Sequence, residues 1–454
     1  MTERKLFGTD GIRGKANIHP MTCEIALALG RAVTHYFQTK LPRNKRPVII
    51  VGKDTRLSCY MLEQAFSAGV CSQGGHVILT GPLPTPGVAF VTVSMRAEAG
   101  IMISASHNSF ADNGIKIFDG NGYKLPDSVE LELEEMILNS NLIPKPAGSE
   151  LGNTKRLDEV IGRYIVQVKS AFPNDYDLEG MRIVLDCANG AGYKVAPMIF
   201  RELGAEVITM SVEPDGQNIN HECGSLHPDK CQEQVLKYRA DIGICLDGDA
   251  DRIILVNREG EVIDGDQLIG MFAKLLLDQK VLKKNDEVVG TVMSNLGLEH
   301  YIRSLGLNFK RTQVGDRYII ESMRDSGGIL GGEPSGHVIF RNNSTTGDGI
   351  LAALKALECM KYYKKTLKEL TSSVQLFPQV IKNIKVKNKL PFENVPNIQK
   401  VLSAVHEKLG DKGRVLLRYS GTETLARVMV EAEDSNLVEE LSNKLVDVIR
   451  KELA

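Results

Sequence analysis

The 454-residue chain carries almost no net charge, −2 from 55 Lys and Arg against 57 Asp and Glu. That balance gives no global basic field for nucleic acid and no polybasic patch for a membrane. An anionic ligand must therefore be met by local clusters of arginine and lysine. No run approaches the roughly 18 uninterrupted apolar residues of a membrane span. The opening MTERKLFGTDGIRG has no apolar stretch of the secretory type. The eight cysteines are scattered and form no Cys-x-x-Cys pair, so neither a zinc site nor a redox dithiol is signalled. They read as small core residues in a reducing compartment, which makes the chain cytoplasmic. Nucleotide and hydrolase signatures are missing too. Gly52-Lys53 runs into Asp54 and Gly14-Lys15 into Ala16, so there is no Walker A loop. The glycines from Gly8 to Gly14 have the wrong spacing for a dinucleotide fingerprint. No G-x-S-x-G elbow surrounds Ser106.

What remains is ordinary globular composition, 43% hydrophobic and 25% charged. The length exceeds a single core and points to about three or four domains. Short apolar runs alternate with helical periodicity through residues 1–155. Examples are Pro47 to Val51, Met61 to Ser72, His76 to Thr80 and the strand at Gly100 to Ile103, with Gly81 to Gly87 as a rigid loop. A Pro-, Gly- and Ser-rich linker follows near Pro144 to Thr154. The rhythm restarts in 156–258 and again in 259–372. From 373 to 454 it becomes a small α+β pattern. The expected fold class is α/β: three serial α/β domains with mixed, largely parallel sheets, plus a smaller C-terminal α+β domain, around a central cleft.

Four polar loops follow predicted strands. In the first, Ile101 to Ile103 opens into Ser104, Ser106, His107, Asn108 and Ser109, and the next apolar run carries a single cation, Lys116. Alone, Ser106 reads as a plain loop hydroxyl. On an extended chain its neighbour His107 would point to the opposite face, which disfavours a Ser-His relay. In the second, Asp247, Asp249 and Asp251 directly follow the apolar Ile242 to Leu246. Carboxylates at i, i+2 and i+4 fall on one side of an extended segment, and three hard oxygen ligands suit Mg²⁺. An EF-hand fails, because its sixth and twelfth positions would be Arg252 and Arg258. Arg252 itself fits a salt bridge or a phosphate ligand. The third loop, Gly331 to His337, offers Glu333 and Ser335 for sugar hydroxyls and His337 for proton transfer. A Gly-rich turn with a packed histidine fits it as well. The fourth, Arg418 to Thr424 with Arg427 nearby, suits a phosphate cradle, or a hairpin with solvated arginines. The combination carries the reading: one serine loop, one metal loop, one sugar-like loop and one phosphate-like loop, each in its own unit.

In order and content these loops resemble those of the α-D-phosphohexomutase superfamily. The resemblance covers Ser106-His107-Asn108, Asp247 to Arg252, Gly332-Glu333-x-Ser335-Gly336-His337 and Arg418-x-Ser420-Gly421-Thr422-Glu423. Within it, Phe7 to Gly14, Gln313 to Tyr318, Thr345 to Gly349 and the Ser-Gly-Thr-Glu form of the last loop are most similar to the bacterial branch that acts on glucosamine phosphates. The resemblance implies a phosphoserine at Ser106 and Mg²⁺ held by Asp247, Asp249, Asp251 and the serine phosphate. It implies sugar contacts from Glu333 and Ser335. It gives the non-reacting phosphate to Arg418, Ser420, Gly421, Thr422 and Arg427. Arg13, Lys116 and His337 would act at the reacting oxygen. The implied reaction interconverts glucosamine 6-phosphate and glucosamine 1-phosphate through a 1,6-bisphosphate, a supply line to UDP-N-acetylglucosamine for the cell envelope. Glucose or mannose phosphate is the alternative substrate. The implied partners are the phosphosugar and a second copy in a homodimer, with no nucleic acid and no membrane. The last domain would hinge over substrate. Three positions depart from the pattern: Ser109 and Thr424 stand where Pro is usual, and Pro334 where Gln is. Pro334 fixes φ between two proposed sugar ligands and bears on sugar preference.

Overall fold

The computed structural model describes residues 5–8, 10–42, 44–419 and 424–454. They form two compact units, 1–293 with 307–372, and 294–306 with 373–454.

The larger unit contains three sheets, each with parallel strands inside and antiparallel ones at an edge. The seven-stranded sheet runs Phe7–Gly8, Gly11–Lys15, Asp112–Asp119, Ala99–Ile103, Val48–Lys53, His76–Pro82, Thr154–Arg156. Val48–Lys53 pairs in parallel with both Ala99–Ile103 and His76–Pro82. Such strands are covered on both faces and so read as unbroken apolar runs rather than alternating ones. Asp112–Asp119 then folds back antiparallel on Ala99–Ile103, which sets Lys116 opposite Met102. The five-stranded sheet places Ile242–Leu246 between parallel Arg182–Asp186 and antiparallel Ile253–Asn257. The four-stranded sheet joins parallel Glu287–Thr291, Asn308–Thr312 and Leu330–Gly332 to antiparallel Val338–Phe340. Ser106 and Asp247 thus both lie just past the carboxyl ends of parallel strands, where open α/β sheets carry their chemistry.

Two local expectations are corrected. Gly81 to Gly87 is not one rigid loop. The strand runs through Pro82, and a helix, Thr85–Ser94, begins within the segment with Pro86 in its first turn. Proline there lacks only an N–H that has no helical partner in any case. The expected linker also contributes structure, since Thr154–Arg156 pairs in parallel with His76–Pro82.

In the smaller unit, Gln379–Lys385, Leu425–Ala432 and Gly413–Tyr419 form an antiparallel sheet in that order. Apolar faces of helices Pro396–Leu409 and Ser435–Leu453 share its core, through Ile398, Val405, Leu441, Leu445 and Ile449. Residues 294–306, with helix Leu296–Ser304, belong to the same unit. The Leu296 N–H donates to buried Glu431 at 2.9 Å.

Candidate active site

The serine loop leaves Ile103 and turns sharply. Ser106 has φ 53°, a left-handed conformation that costs a non-glycine residue about 1–2 kcal/mol. The backbone is therefore not extended, and His107 does not point away: its Nδ1 lies 3.4 Å from Ser106 Oγ. Burial, then Arg252 and Arg13, push the His107 imidazole down to about 4. The buried Ser106 Oγ–H donates to Asp247 Oδ2 at 2.6 Å, across 141 residues of sequence.

Asp247, Asp249 and Asp251 are all buried, and one oxygen from each lies within 4.8 Å of the others. Their convergence comes from a turn, not from the pleat of an extended strand. Ala250 has φ 55°, its N–H donates to Asp247 O at 3.0 Å, and Arg252 N–H donates to Asp247 Oδ1 at 3.1 Å. Thr85 Oγ1 donates to Asp249 Oδ2 at 2.5 Å and Lys116 Nζ to the same oxygen at 2.7 Å. Lys116 Nζ also reaches Asp251 Oδ2 at 3.2 Å. Asp249 Oδ1 and Asp251 Oδ1 remain buried with no hydrogen-bond partner.

The charges explain what this cluster needs. Burial, then Asp251 and Asp249, push the Asp247 carboxyl well up. For Asp251 burial also works upward, but Lys116, His337 and Arg252 outweigh it and hold that carboxyl well below its usual range. Burial works to lower Lys116, and Asp10, Asp249 and Asp251 overcome it, so the ammonium sits well above an ordinary lysine. Three converging carboxylates with two unfilled oxygens fit a hard divalent cation.

Around the aspartates stand further predicted residues. Arg13 pairs with Asp10, and Arg252 Nε lies 3.9 Å from Asp251 Oδ1. Each of these two guanidiniums keeps a buried Nε–H with no hydrogen-bond partner, a donor suited to a phosphate oxygen. Glu333 Oε1 accepts from Gly315 N–H at 3.0 Å, and Ser335 Oγ stands 3.5 Å from Glu333 Oε2. His337 bridges the sugar loop to the metal loop, with Nδ1 3.7 Å from Asp251 Oδ1 and Nε2 3.5 Å from Asp316 Oδ2. Burial works to lower this imidazole, and Asp251 and Asp316 raise it overall. Gly347 N–H, however, donates to Nε2 at 3.0 Å, which requires a lone pair there. The hydrogen bond is the more specific constraint, and it fits a neutral ring with its proton on Nδ1 toward Asp251.

In the smaller unit, Arg418 and Arg427 are direct cross-strand partners. Burial and the Arg427 charge together lower the Arg418 guanidinium. Like charges placed opposite each other destabilise a sheet. Ser420, Gly421 and Thr422 lie outside the described residues.

The phosphoglucomutase/phosphomannomutase family matches the chain in four consecutive pieces. Alpha/beta/alpha domain I covers residues 4–142, domain II 162–260, domain III 264–377 and the C-terminal domain 381–448. A phosphoglucosamine mutase of Pelobacter propionicus is 53% identical over 452 residues, 99% of each chain. The chain belongs to the phosphohexomutases, in their phosphoglucosamine mutase branch. A phosphoglucosamine mutase of Desulfotalea psychrophila is 50% identical over 449 residues, again 99% of each. A phosphoglucomutase/phosphomannomutase family protein of Burkholderia thailandensis shares the fold at TM-score 0.82 and 22% identity, over 98% of this chain and 97% of that one. N-acetylphosphoglucosamine mutase of Aspergillus fumigatus, solved with GlcNAc-6P and magnesium, matches at TM-score 0.69 and 17% identity, over 99% and 96%.

As a member of the phosphohexomutases the chain is an isomerase that acts as an intramolecular phosphotransferase. Among its described residues no helix is long and apolar enough to cross a membrane. Its site also contains groups that the sequence reading did not single out. Lys124 Nζ donates to Asp10 and, at 2.8 Å, to Asp316 Oδ1, which ties the N-terminal loop to the helix Asp316–Ser326. Thr85 supports Asp249. Asp10 and Asp316 lie within the Phe7 to Gly14 and Gln313 to Tyr318 motifs; for Thr85 and Lys124 no local signal exists, since each finds its partner more than a hundred residues away.

Proposed function

We propose that the chain interconverts glucosamine 6-phosphate and glucosamine 1-phosphate, with the phosphoryl group carried on Ser106. One observation supports this most. The Ser106 hydroxyl is buried 2.6 Å from Asp247, in a cluster where Asp249 and Asp251 keep open oxygens and Lys116 supplies a fixed positive charge. A solvated loop serine has no use for that arrangement. A phosphoryl carrier needs it, because transfer depends on in-line placement and on neutralising the equatorial oxygens. Mg²⁺ held by Asp247, Asp249, Asp251 and the serine phosphate would supply Lewis-acid neutralisation of the group in transit.

In the first transfer the sugar O1 attacks phosphorus, the P–Oγ bond breaks and a P–O1 bond forms. The O1 proton passes, in net terms, to Ser106 Oγ. The product is the 1,6-bisphosphate, facing a serine that donates to Asp247 as it does here. After the bisphosphate reverses, Ser106 Oγ attacks the phosphorus at C6. The P–O6 bond breaks, the Oγ proton goes to O6, and glucosamine 1-phosphate leaves. Lys116, which donates to Asp249 Oδ2 and Asp251 Oδ2 here, acts at the reacting oxygen. Arg13, Arg252 and His337 hold the reacting end, Glu333 and Ser335 hold sugar hydroxyls, and Arg418 and Arg427 take the phosphate not in transfer, with Ser420, Gly421 and Thr422. Since either end must fit that cradle, its ligands recognise phosphate and not sugar.

The four matched segments support a division into domains 1–155, 156–258, 259–372 and 373–454. We take the enzyme to be cytoplasmic and homodimeric, as the resemblance implies. The deciding experiment measures glucosamine 1-phosphate formation from glucosamine 6-phosphate with and without Mg²⁺, beside glucose and mannose 6-phosphates. Equal or higher kcat/KM on glucose or mannose phosphate overturns the sugar assignment. Free phosphate without isomerised product makes the protein a phosphatase.

A further inference from the structure

Beneath the serine loop lies an arginine that makes no contact with the metal cluster. Arg56 is completely buried, with 0% exposure. Its Nε–H donates to Asp54 Oδ2 at 2.9 Å. One terminal nitrogen donates to Ser109 O at 2.5 Å. The other donates to Ser106 O and to Asn108 O, both at 2.9 Å. A single guanidinium thus gathers three carbonyls of one short turn. Asn220, from a distant loop, adds its Nδ2 to the same two acceptors, Ser106 O at 2.8 Å and Asn108 O at 2.9 Å. Asp54 completes the frame from the other side. It accepts from Ser104 Oγ at 2.6 Å, and Ser104 Oγ accepts from Ser106 N–H at 2.9 Å. Both backbone polar groups of Ser106 are therefore anchored. A third wall is Gly248 of the metal loop, where a Cβ would stand 2.6 Å from Ser106 O.

A fully buried ion pair is weak evidence for stability, because well-packed apolar side chains often serve as well. Here the pair does what apolar side chains cannot, since it supplies directed donors to three carbonyls of the serine loop. It also holds Ser106 in a backbone conformation that a serine disfavours. That conformation points Oγ at Asp247.

We propose that Arg56, assisted by Asn220, is a positioning residue for phosphoryl transfer: it locks the Ser106 backbone so that Oγ, and the phosphate on it, stays aligned with the aspartates. The proposal rests on the reading of Ser106 as the phosphoryl carrier. Neither Arg56 nor Asn220 contacts a residue assigned to sugar binding. Loosening the lock should therefore slow the chemical step and leave substrate affinity alone. It should also let more of the phosphoryl group escape to water, since a wandering phosphoserine is presented to solvent as well as to sugar.

The test compares wild type with Arg56→Met, Arg56→Lys and Asn220→Asp. Phosphate on Ser106 is counted by intact mass, so that kcat is expressed per phosphorylated enzyme. A misplacement of about 1 Å can reduce rate about a hundredfold. Arg56→Met should lose kcat on that scale, Arg56→Lys should recover part of it, and Asn220→Asp should lose about tenfold. In all three KM should stay within about twofold, and free phosphate released per turnover should rise. If Arg56→Met fails to fold, Arg56→Lys and Asn220→Asp decide the matter. Wild-type kcat per phosphorylated enzyme in those two overturns the proposal, as does a rise in KM with kcat unchanged. Absence of phosphate on active wild-type enzyme overturns the carrier reading itself, and the intact mass shows that separately.

Discussion

The Thr85 hydroxyl offers a sharp test of how the metal cluster is built. Thr85 opens the helix Thr85–Ser94, and its Oγ1 donates to Asp249 Oδ2 at 2.5 Å inside the protein. Its backbone N–H also donates to Asp249 O, at 2.9 Å. With Lys116 on the same carboxylate oxygen, these bonds turn Asp249 Oδ1 into the open cluster. Thr85→Val keeps shape, branching and backbone bond, and removes one hydrogen bond to a charged acceptor. Such a bond contributes about 1.5–3 kcal/mol. Removing an outer partner of a metal ligand typically lowers affinity about 10- to 100-fold, which is about 1.4–2.7 kcal/mol. The two figures agree. Calorimetric titration of the purified protein with Mg²⁺ and with Mn²⁺ should show Kd raised by that factor in Thr85→Val and restored in Thr85→Ser. The concentration of Mg²⁺ giving half-maximal rate should move in parallel. Unchanged Kd in Thr85→Val, with binding intact, would refute the claim that Thr85 orients a ligand.

Three further outcomes are expected. Gly248→Ala would drive a Cβ to 2.6 Å from Ser106 O and 2.8 Å from Asn220 Nδ2. It should cut kcat at least about tenfold in a folded protein, and full activity would contradict the packing described. Arg418→Ala removes one of two opposed guanidiniums; KM for glucosamine 6-phosphate should rise at least about tenfold, consistent with a charged hydrogen bond to phosphate, while the smaller unit's melting temperature holds or rises. Asp348 caps the helix Gly349–Tyr363 and accepts the Tyr164 hydroxyl at 2.9 Å, and burial lifts its carboxyl to about 6 from 3.8. The native state then binds that proton more tightly than the unfolded chain, so this group reduces stability as pH rises from about 4 to about 6. Asp348→Asn keeps a capping oxygen and loses the titration. Its stability relative to wild type should increase by on the order of 2 kcal/mol between pH 4 and pH 7, measured by urea unfolding; a gap independent of pH would refute the shift.

Sequence reached furthest where chemistry is contiguous. Asp247, Asp249 and Asp251 declare themselves within five residues, and Lys116 stands out as the one cation in an apolar strand. The strands were readable because parallel, doubly covered strands are continuous apolar runs. What stayed hidden depends on chain segments meeting from afar. Thr85 finds Asp249 across 164 residues, Asn220 finds Ser106 across 114, and Tyr164 finds Asp348 across 184. Local pattern also misled where proline was read as a breaker. Pro86 starts a helix, because the first turn has no use for the missing N–H. The expectation that Ser106 and His107 face opposite ways failed for a single dihedral, since an extended chain was assumed where the backbone is left-handed.

The central claim is that the phosphoryl group on Ser106 passes to the sugar and not to water. Enzyme carrying ³²P on Ser106, mixed with unlabelled glucosamine 6-phosphate and Mg²⁺ and quenched within one turnover, tests it directly. The label should leave the protein and appear first in the 1,6-bisphosphate and then in glucosamine 1-phosphate, and Ser106→Ala should accept none. Label released as inorganic phosphate, or retained on the protein while product forms, would contradict it.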